Sequence, residues 1–326
     1  MDRRTFLAGI GAVLIAAPLA AEAQQAGKVY RLGILTPGGR PLAGMAAGHL
    51  HLIEVLRELG YVEGQNLVVE RRYAEGKTDR LPGRARELVR IPVDVIVAVG
   101  TAVDPARDAT KTIPIVIGIV DDPVGRGVVS SLARPGGNIT GVTYAVGPEI
   151  VQKRLALIKE AVPRAARIAA LAGGDTRQGS RQEMQKAASS LGVKLIVVEV
   201  RGAEYERAFA TMAEERADAL AVMGSPTLHA DRRRIIELAA RHRLPAIYEW
   251  REHAEESGLM AYGANNRDLF RRVASFVDRI FKGANAATLP VEQPTKFEFV
   301  INLKTAKVLG LTIPPLLLQR ADQVIE

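Results

Sequence analysis

The chain has 326 residues, 48% of them hydrophobic and 25% charged, with a formal net charge of +8 and no cysteine. That is ordinary globular composition, and the length predicts about two domains. The missing cysteines exclude disulfides, thiolate metal sites, a cysteine nucleophile and a lipid-modified N-terminal cysteine.

Residues 1–23 read as an export signal rather than as part of the fold. Arg3-Arg4 with Thr5-Phe6-Leu7 is similar to a twin-arginine signal, although Asp2 stands where Ser or Thr usually precedes the arginines. Leu7–Ala20 is apolar but short for a bilayer span. Ala21-Glu22-Ala23 offers small residues for a signal peptidase, so cleavage after Ala23 and a periplasmic mature protein are expected. The basic residues are scattered, with Arg232-Arg233-Arg234 the only triple, which favours a solvated surface over a nucleic-acid interface.

Val29–Leu35 predicts a first strand ending at Thr36-Pro37-Gly38-Gly39. A helix over Met45–Leu59 follows, with Leu50, Ile53, Leu56 and Leu59 at helical spacing, and Gly60 stops it. Leu67–Tyr73 reads as a strand and Arg80–Val89 as a helix. Val93–Val99 and Ile113–Val120 are β-branched runs too short for helices, and each reads as a strand buried on both faces. Asp104–Lys111 suits the crossover helix between them. These two strands end in Gly100-Thr101 and Asp121-Asp122-Pro123. Ligands of open α/β sheets sit beyond the carboxyl ends of the strands, so this hydroxyl and these carboxylates point to a small-molecule pocket. An Asp before Pro also serves as a turn former or helix cap. One of Asp121 and Asp122 is expected to cap and the other to meet a ligand ammonium group. Pro135–Asn138 is a turn, and Ile139–Tyr144 a strand leading out of it.

The pattern then restarts. Helices are expected at Pro148–Val162, Gln178–Leu191, Tyr205–Glu215 and Ala230–His242. They alternate with strands at Arg167–Leu171, Lys194–Val200, Ala219–Met223 and Pro245–Tyr248. Two successive βα runs predict two doubly wound lobes. The final third breaks the alternation: a strand at Leu259–Tyr262, an amphipathic helix at Arg267–Phe281, a strand at Thr295–Asn302 and a short helix at Leu303–Leu309. The chain is expected to cross back to the first lobe and return, making a hinge over a cleft that can close on a ligand.

Catalytic signals are poor: no G-x-S-x-G, no H-E-x-x-H and no triad-like cluster. His49 and His51 point to nearly opposite helix faces. His229, His242 and His253 lie far apart in sequence and match no ligand spacing, so no metal site and no cofactor are expected. Gly174-x4-Gly179-Ser180 has the outline of a phosphate loop, but Arg181 stands where its lysine would follow, and it reads as an ordinary βα turn. Tyr73, Tyr144, Tyr248 and Tyr262 each end a predicted strand, and Trp250 follows Tyr248-Glu249. Rings there offer stacking surface and hydroxyl donors, and strand-end tyrosines also serve as purely structural closers.

GYVEGQNLVVERRYAEG, VDVIVAVGT, PIVIGIVDDPVG, SLARPGGNITGV, LPAIYEWREHAEESGLMAYG and QPTKFEFVINLKTAKVLGLTIPP together resemble the TrpX-like family of ABC transporter substrate-binding proteins. The resemblance spans nearly the whole chain. It implies an α/β, type I periplasmic-binding-protein fold, with two doubly wound parallel-sheet lobes joined by a multi-segment hinge, and no enzymatic activity. Residues 28–140 and 263–290 would form lobe 1, and 141–262 and 291–326 lobe 2. By position, the ligand-facing places would be Thr36, Gly100, Thr101, Asp121, Asp122 and Tyr144 on the first lobe. On the second they would be Gly173, Gly174, Ser225, Tyr248 and Glu249. Two stretches depart from the family pattern at presumed cleft edges, AGGDTRQGS in place of an Asn-Pro-rich loop and Met223-Gly224-Ser225-Pro226. The implied protein is a monomeric receptor that captures a small solute, with an amino acid as the first expectation. It would deliver the solute to a membrane permease and its ATPase subunits, or present it to a membrane sensor. A hydrolase using Asp121 or Asp122 would need the catalytic partners that the chain lacks. A repressor would need a DNA-binding N-terminus where this chain has a signal.

Overall fold

A computed structural model describes residues 28–39, 48–120, 122–144, 148–174, 176, 178–200, 202 and 204–326. The expected signal 1–23 with its cleavage after Ala23, the expected helix start at 45–47, and Asp121 lie outside the described residues.

The first run comprises β1 (Tyr30–Thr36), α1 (Gly48–Glu58), β2 (Leu67–Tyr73), α2 (Leu81–Val89), β3 (Val95–Val99), α3 (Val103–Ala109), β4 (Ile115–Val120) and β5 (Ile139–Thr143). The second comprises α4 (Pro148–Ala161), β6 (Arg167–Gly173), α5 (Gln178–Ser190), β7 (Lys194–Val200), α6 (Tyr205–Glu214) and β8 (Ala219–Val222). It continues through α7 (Pro226–Ala230), α8 (Arg232–Arg241), β9 (Ala246–Tyr248), α9 (Arg251–Glu255) and β10 (Met260–Ala264). Then follow α10 (Asn266–Phe281), β11 (Val291–Glu292), β12 (Phe297–Asn302), α11 (Leu303–Leu309), α12 (Pro315–Gln319) and β13 (Gln323–Ile325).

The strands form two sheets, ordered β11-β5-β4-β3-β1-β2 and β13-β12-β10-β9-β8-β6-β7. Every pairing is parallel except β10 with β12. Side-chain alternation divides each strand between two cores. In β3, Val95, Val97 and Val99 join the cluster beneath α1 and α10, while Ile96 and Ala98 join the one beneath α2 and α3. In the second sheet, Ala219, Ala221 and Ile247 face α4 and α5, while Leu220, Val222, Ala246 and Tyr248 face α6 and α8.

After β10 the chain returns to the first sheet. Leu269, Phe270, Val273, Phe276, Val277 and Ile280 of α10 pack with Leu32, Ile34 and Val97, which is why this helix carries so continuous an apolar stripe. The chain therefore passes between the sheets three times: between β5 and α4, between β10 and α10, and between β11 and β12. Sheet membership moves the expected lobe limits by a few residues. All of β5 and β11 belongs to the first sheet, and β10 stays in the second through Ala264. The expected helix at Ala230–His242 corresponds to α8, and the short α7 precedes it; the two meet at Asp231, whose carboxylate accepts a 2.6 Å hydrogen bond from the Tyr205 hydroxyl.

The two most distinctive sequence stretches build scaffold. In SLARPGGNITGV, Gly136 and Gly137 take positive φ, and Asn138 Nδ2 donates to the Ile113 carbonyl at 2.6 Å. Thr140 Oγ1 donates to the Leu289 carbonyl at 2.9 Å, tying β5 to the segment before β11. Gly141 has φ +131°, opposite a register shift in β4, and a Cβ there would lie 2.4 Å from the Ile117 carbonyl oxygen. Gly141→Ala is therefore expected to destabilise the protein by about 2 kcal/mol or more, read from the midpoint of urea denaturation. In INLKTAKVLGLTIP, Asn302 caps α11 by accepting from Thr305 N at 3.1 Å and donates to the Ala254 carbonyl at 2.9 Å. Gly310 ends that helix in the left-handed conformation.

Candidate functional site

The carboxyl ends of β1, β3, β4 and β5 carry the first-lobe candidates. Thr36 Oγ1 accepts from Gly38 N at 3.3 Å and closes the turn after β1. Gly100 is buried at φ +58° and starts a short turn that places Thr101. Asp122 is exposed, has φ +43°, and accepts from Gly125 N at 2.9 Å within its own turn.

In the second lobe, Gly173 lies at the end of β6. Its N–H donates to Thr176 Oγ1 at 2.9 Å, and its carbonyl accepts from Thr176 N at 3.0 Å. Gly174, next in that turn, is exposed. Ser225 is buried and caps α7 by accepting from Leu228 N at 3.0 Å. Tyr248 is a correction to the sequence reading: it is 1% exposed, belongs to the core beneath α6 and α8, and stacks on His253 at 4.9 Å. Strand periodicity decides this, because Tyr248 shares a face with Ala246. Tyr262 is likewise turned into the lobe, against Phe297 and Phe299.

Glu249 does not lie open to a ligand ammonium group either. It forms a 2.7 Å ion pair with Arg154 of α4, and the two side chains are 5% and 3% exposed. Glycines make room for it. A Cβ on Gly224 would lie 2.5 Å from Glu249 Oε1, and one on Gly263 would lie 2.0 Å from the Glu249 carbonyl oxygen. Arg154 escaped the sequence reading, although Ile150, Arg154 and Ile158 sit at spacings of four on one helical face. A charged residue within an apolar stripe was the available signal.

Tyr144, at the end of β5, faces Trp250 with ring centroids 6.0 Å apart. Trp250 packs into the first-lobe core and also meets His229, at 4.2 Å and nearly perpendicular. His253 lies 5.3 Å from His229. The two histidines, remote in sequence, are thus neighbours, although no group of three or more His, Cys, Asp or Glu among the described residues could hold a metal ion. Burial, then His253 and Arg232, depress the His229 pKa well below the ordinary histidine value. Burial takes His253 down to about 3, so both imidazoles are neutral at physiological pH. Burial and then Glu249 push the Tyr144 phenol well up, leaving a neutral hydroxyl.

Five polar atoms in this region are shielded from solvent and have no hydrogen-bond partner among the described residues: Tyr144 Oη, Arg154 Nε, Trp250 Nε1 and both His229 ring nitrogens. The Tyr144 hydroxyl is close enough to Glu249, Arg154 and Trp250 to interact with each, yet it forms no hydrogen bond of normal geometry. Buried groups left unpaired cost about 1–3 kcal/mol each, so their concentration here is a reservoir that a polar ligand can discharge. The chemistry on offer is aromatic stacking with neutral donors and acceptors, around an ion pair that neutralises itself. That suits binding.

The architecture is that of type I periplasmic binding proteins. A curated protein from Clostridioides difficile, described as a tyrosine-binding protein, is 24% identical over 263 residues, covering 79% of this chain and 75% of that one. A conserved domain protein from Vibrio cholerae has a structure with 26% identity and a TM-score of 0.82, covering 91% of this chain and 100% of that one. An ABC domain from Streptococcus pneumonia, solved with L-Trp, shows 25% identity and a TM-score of 0.80, covering 91% and 99%. The model of ABC transporter substrate binding proteins matches residues 44–325, and the chain belongs to that family.

Proposed function

We propose that this protein is the receptor of an ABC importer for an aromatic amino acid, acting in the periplasm after removal of residues 1–23. The observation that carries the reading is the group of unpaired buried polar atoms set among Tyr144, Trp250 and His229, where the two lobes meet. Rings supply stacking area for an aromatic side chain, and the hydroxyl and N–H groups supply partners for its polar atoms. The relatives described as tyrosine-binding and solved with L-Trp support the same class. Of Asp121 and Asp122, the two carboxylates expected to divide between a cap and a ligand ammonium group, Asp122 accepts from Gly125 N within its own turn, which favours Asp121 for the ammonium group. Hinged closure brings groups from both lobes onto the solute, and the closed form is what a permease and its ATPase subunits would receive.

Among the described residues no helix is long and apolar enough to cross a membrane. The receptor is expected to act as a monomer.

Ligand should stabilise the folded state by about 2.7 kcal/mol at one hundred times Kd. Thermal unfolding in saturating L-tyrosine, L-tryptophan or L-phenylalanine should therefore shift Tm upward by several degrees, and L-aspartate or L-lysine should not. No shift with any of the three aromatic amino acids would remove the reading.

A further inference from the structure

His229 presents two ring nitrogens, both shielded and both without a partner among the described residues. A neutral imidazole needs one acceptor and one donor satisfied, so leaving both unpaired is costly unless something else meets them. Its backbone is fully engaged. The His229 N–H donates to the Ser225 carbonyl at 3.0 Å, and its carbonyl accepts from Arg232 Nη1 at 3.2 Å. The ring is therefore held in place on α7, just past the carboxyl end of β8, with its edge against Trp250. Trp250, whose Nε1 can only donate, packs on His229, and Tyr144, whose hydroxyl can do both, packs on Trp250 in turn.

We propose that His229 is a specificity-determining residue of this cleft, reading a hydroxyl group on the ring of an aromatic ligand; this deepens the reading above and rests on it. A ligand hydroxyl can donate to an imidazole nitrogen while accepting from a neighbouring donor. An indole N–H can only donate, and a bare phenyl edge can do neither, leaving the buried partners unpaired. A site built to bond a hydroxyl rejects the analogue lacking it strongly, whereas a purely apolar pocket scarcely distinguishes the two.

The test is calorimetric titration of the full chain with L-tyrosine and L-phenylalanine. Wild type should bind L-tyrosine at least about tenfold more tightly, the equivalent of one hydrogen bond. His229→Phe should bring the ratio to about threefold or less by weakening L-tyrosine alone, and His229→Gln, which keeps a donor and an acceptor, should restore most of it. A wild-type ratio near one, which needs no variant to measure, overturns the inference. So does a ratio unchanged in His229→Phe, or one that His229→Gln fails to restore. Binding of both amino acids with an unchanged ratio removes this inference alone; binding of no aromatic amino acid removes it together with the function proposed above.

Discussion

Arg154→Met is expected to destabilise the protein by about 3–5 kcal/mol, the largest loss from any single side chain considered. Its carboxylate partner, Glu249, has nowhere to go. The two side chains are 3% and 5% exposed, Gly224 lies against the Glu249 carboxylate, and Arg154 Nη2 donates to Glu249 Oε1 at 2.7 Å. Removing the guanidinium leaves a buried charge without a counter-ion, and that penalty exceeds the net worth of the intact pair. Burial works against the Arg154 charge, and Glu249, then Tyr144, more than offset it, so the guanidinium is held protonated. The double variant Arg154→Met, Glu249→Gln should recover most of the loss, because neither charge then remains. Urea denaturation of the two singles and the double closes the cycle. Additive losses in the double variant would show that the pair is not coupled as described.

Acidification gives the second large effect. Between pH 7 and pH 5 the folded protein should lose about 2 kcal/mol of stability at His253, and His229 adds a loss of the same sign. Both imidazoles have folded-state pKa values below the ordinary 6.5, His253 near 3. As pH falls through 6.5 the unfolded chain takes up a proton at each, and the folded chain does not. Stability present above pH 6.5 is therefore lost on the way down towards the folded-state values. Arg232 faces both rings and Arg154 faces His253, so local charge adds to burial in excluding the imidazolium. Glu252, whose pKa burial raises, titrates with the opposite sign and offsets part of the loss. Since other carboxylates also contribute, the informative quantity is the difference between wild type and His253→Gln. The variant should lose about 2 kcal/mol less between pH 7 and pH 5 by chemical denaturation. Equal slopes would mean that His253 titrates normally in the fold.

Much of this architecture was legible beforehand. β2, β7 and α11 fall on the residues that periodicity and turn signals mark, because each is bounded by turn or capping residues and has one dominant period. The return of α10 to the first sheet could be anticipated from the broken strand–helix alternation of the final third. The candidate site was legible less evenly. Strand ends mark the edges where Tyr144 and Trp250 come together, with ring centroids 6.0 Å apart. Tyr248 was misread because a strand-end position says nothing about which face its side chain takes. The α6–α8 core beneath Ala246 claims that face. His229 and His253 have no ligand spacing along the chain, whereas α7 and α9 bring them together across β8 and β9.

Local sequence is enough for two α/β runs, their strands, the glycine-dependent turns and the family to which they belong. These are local matters, settled by periodicity, β-branching and φ requirements within a few residues. Only the tertiary structure decided that Glu249 is already paired with Arg154, that Asp122 closes its own turn, and that unpaired polar atoms gather about Tyr144, Trp250 and His229. Those outcomes depend on which buried charges and rings come within a few ångströms across three crossings of the chain. Desolvation then makes each such proximity either a bond or a cost.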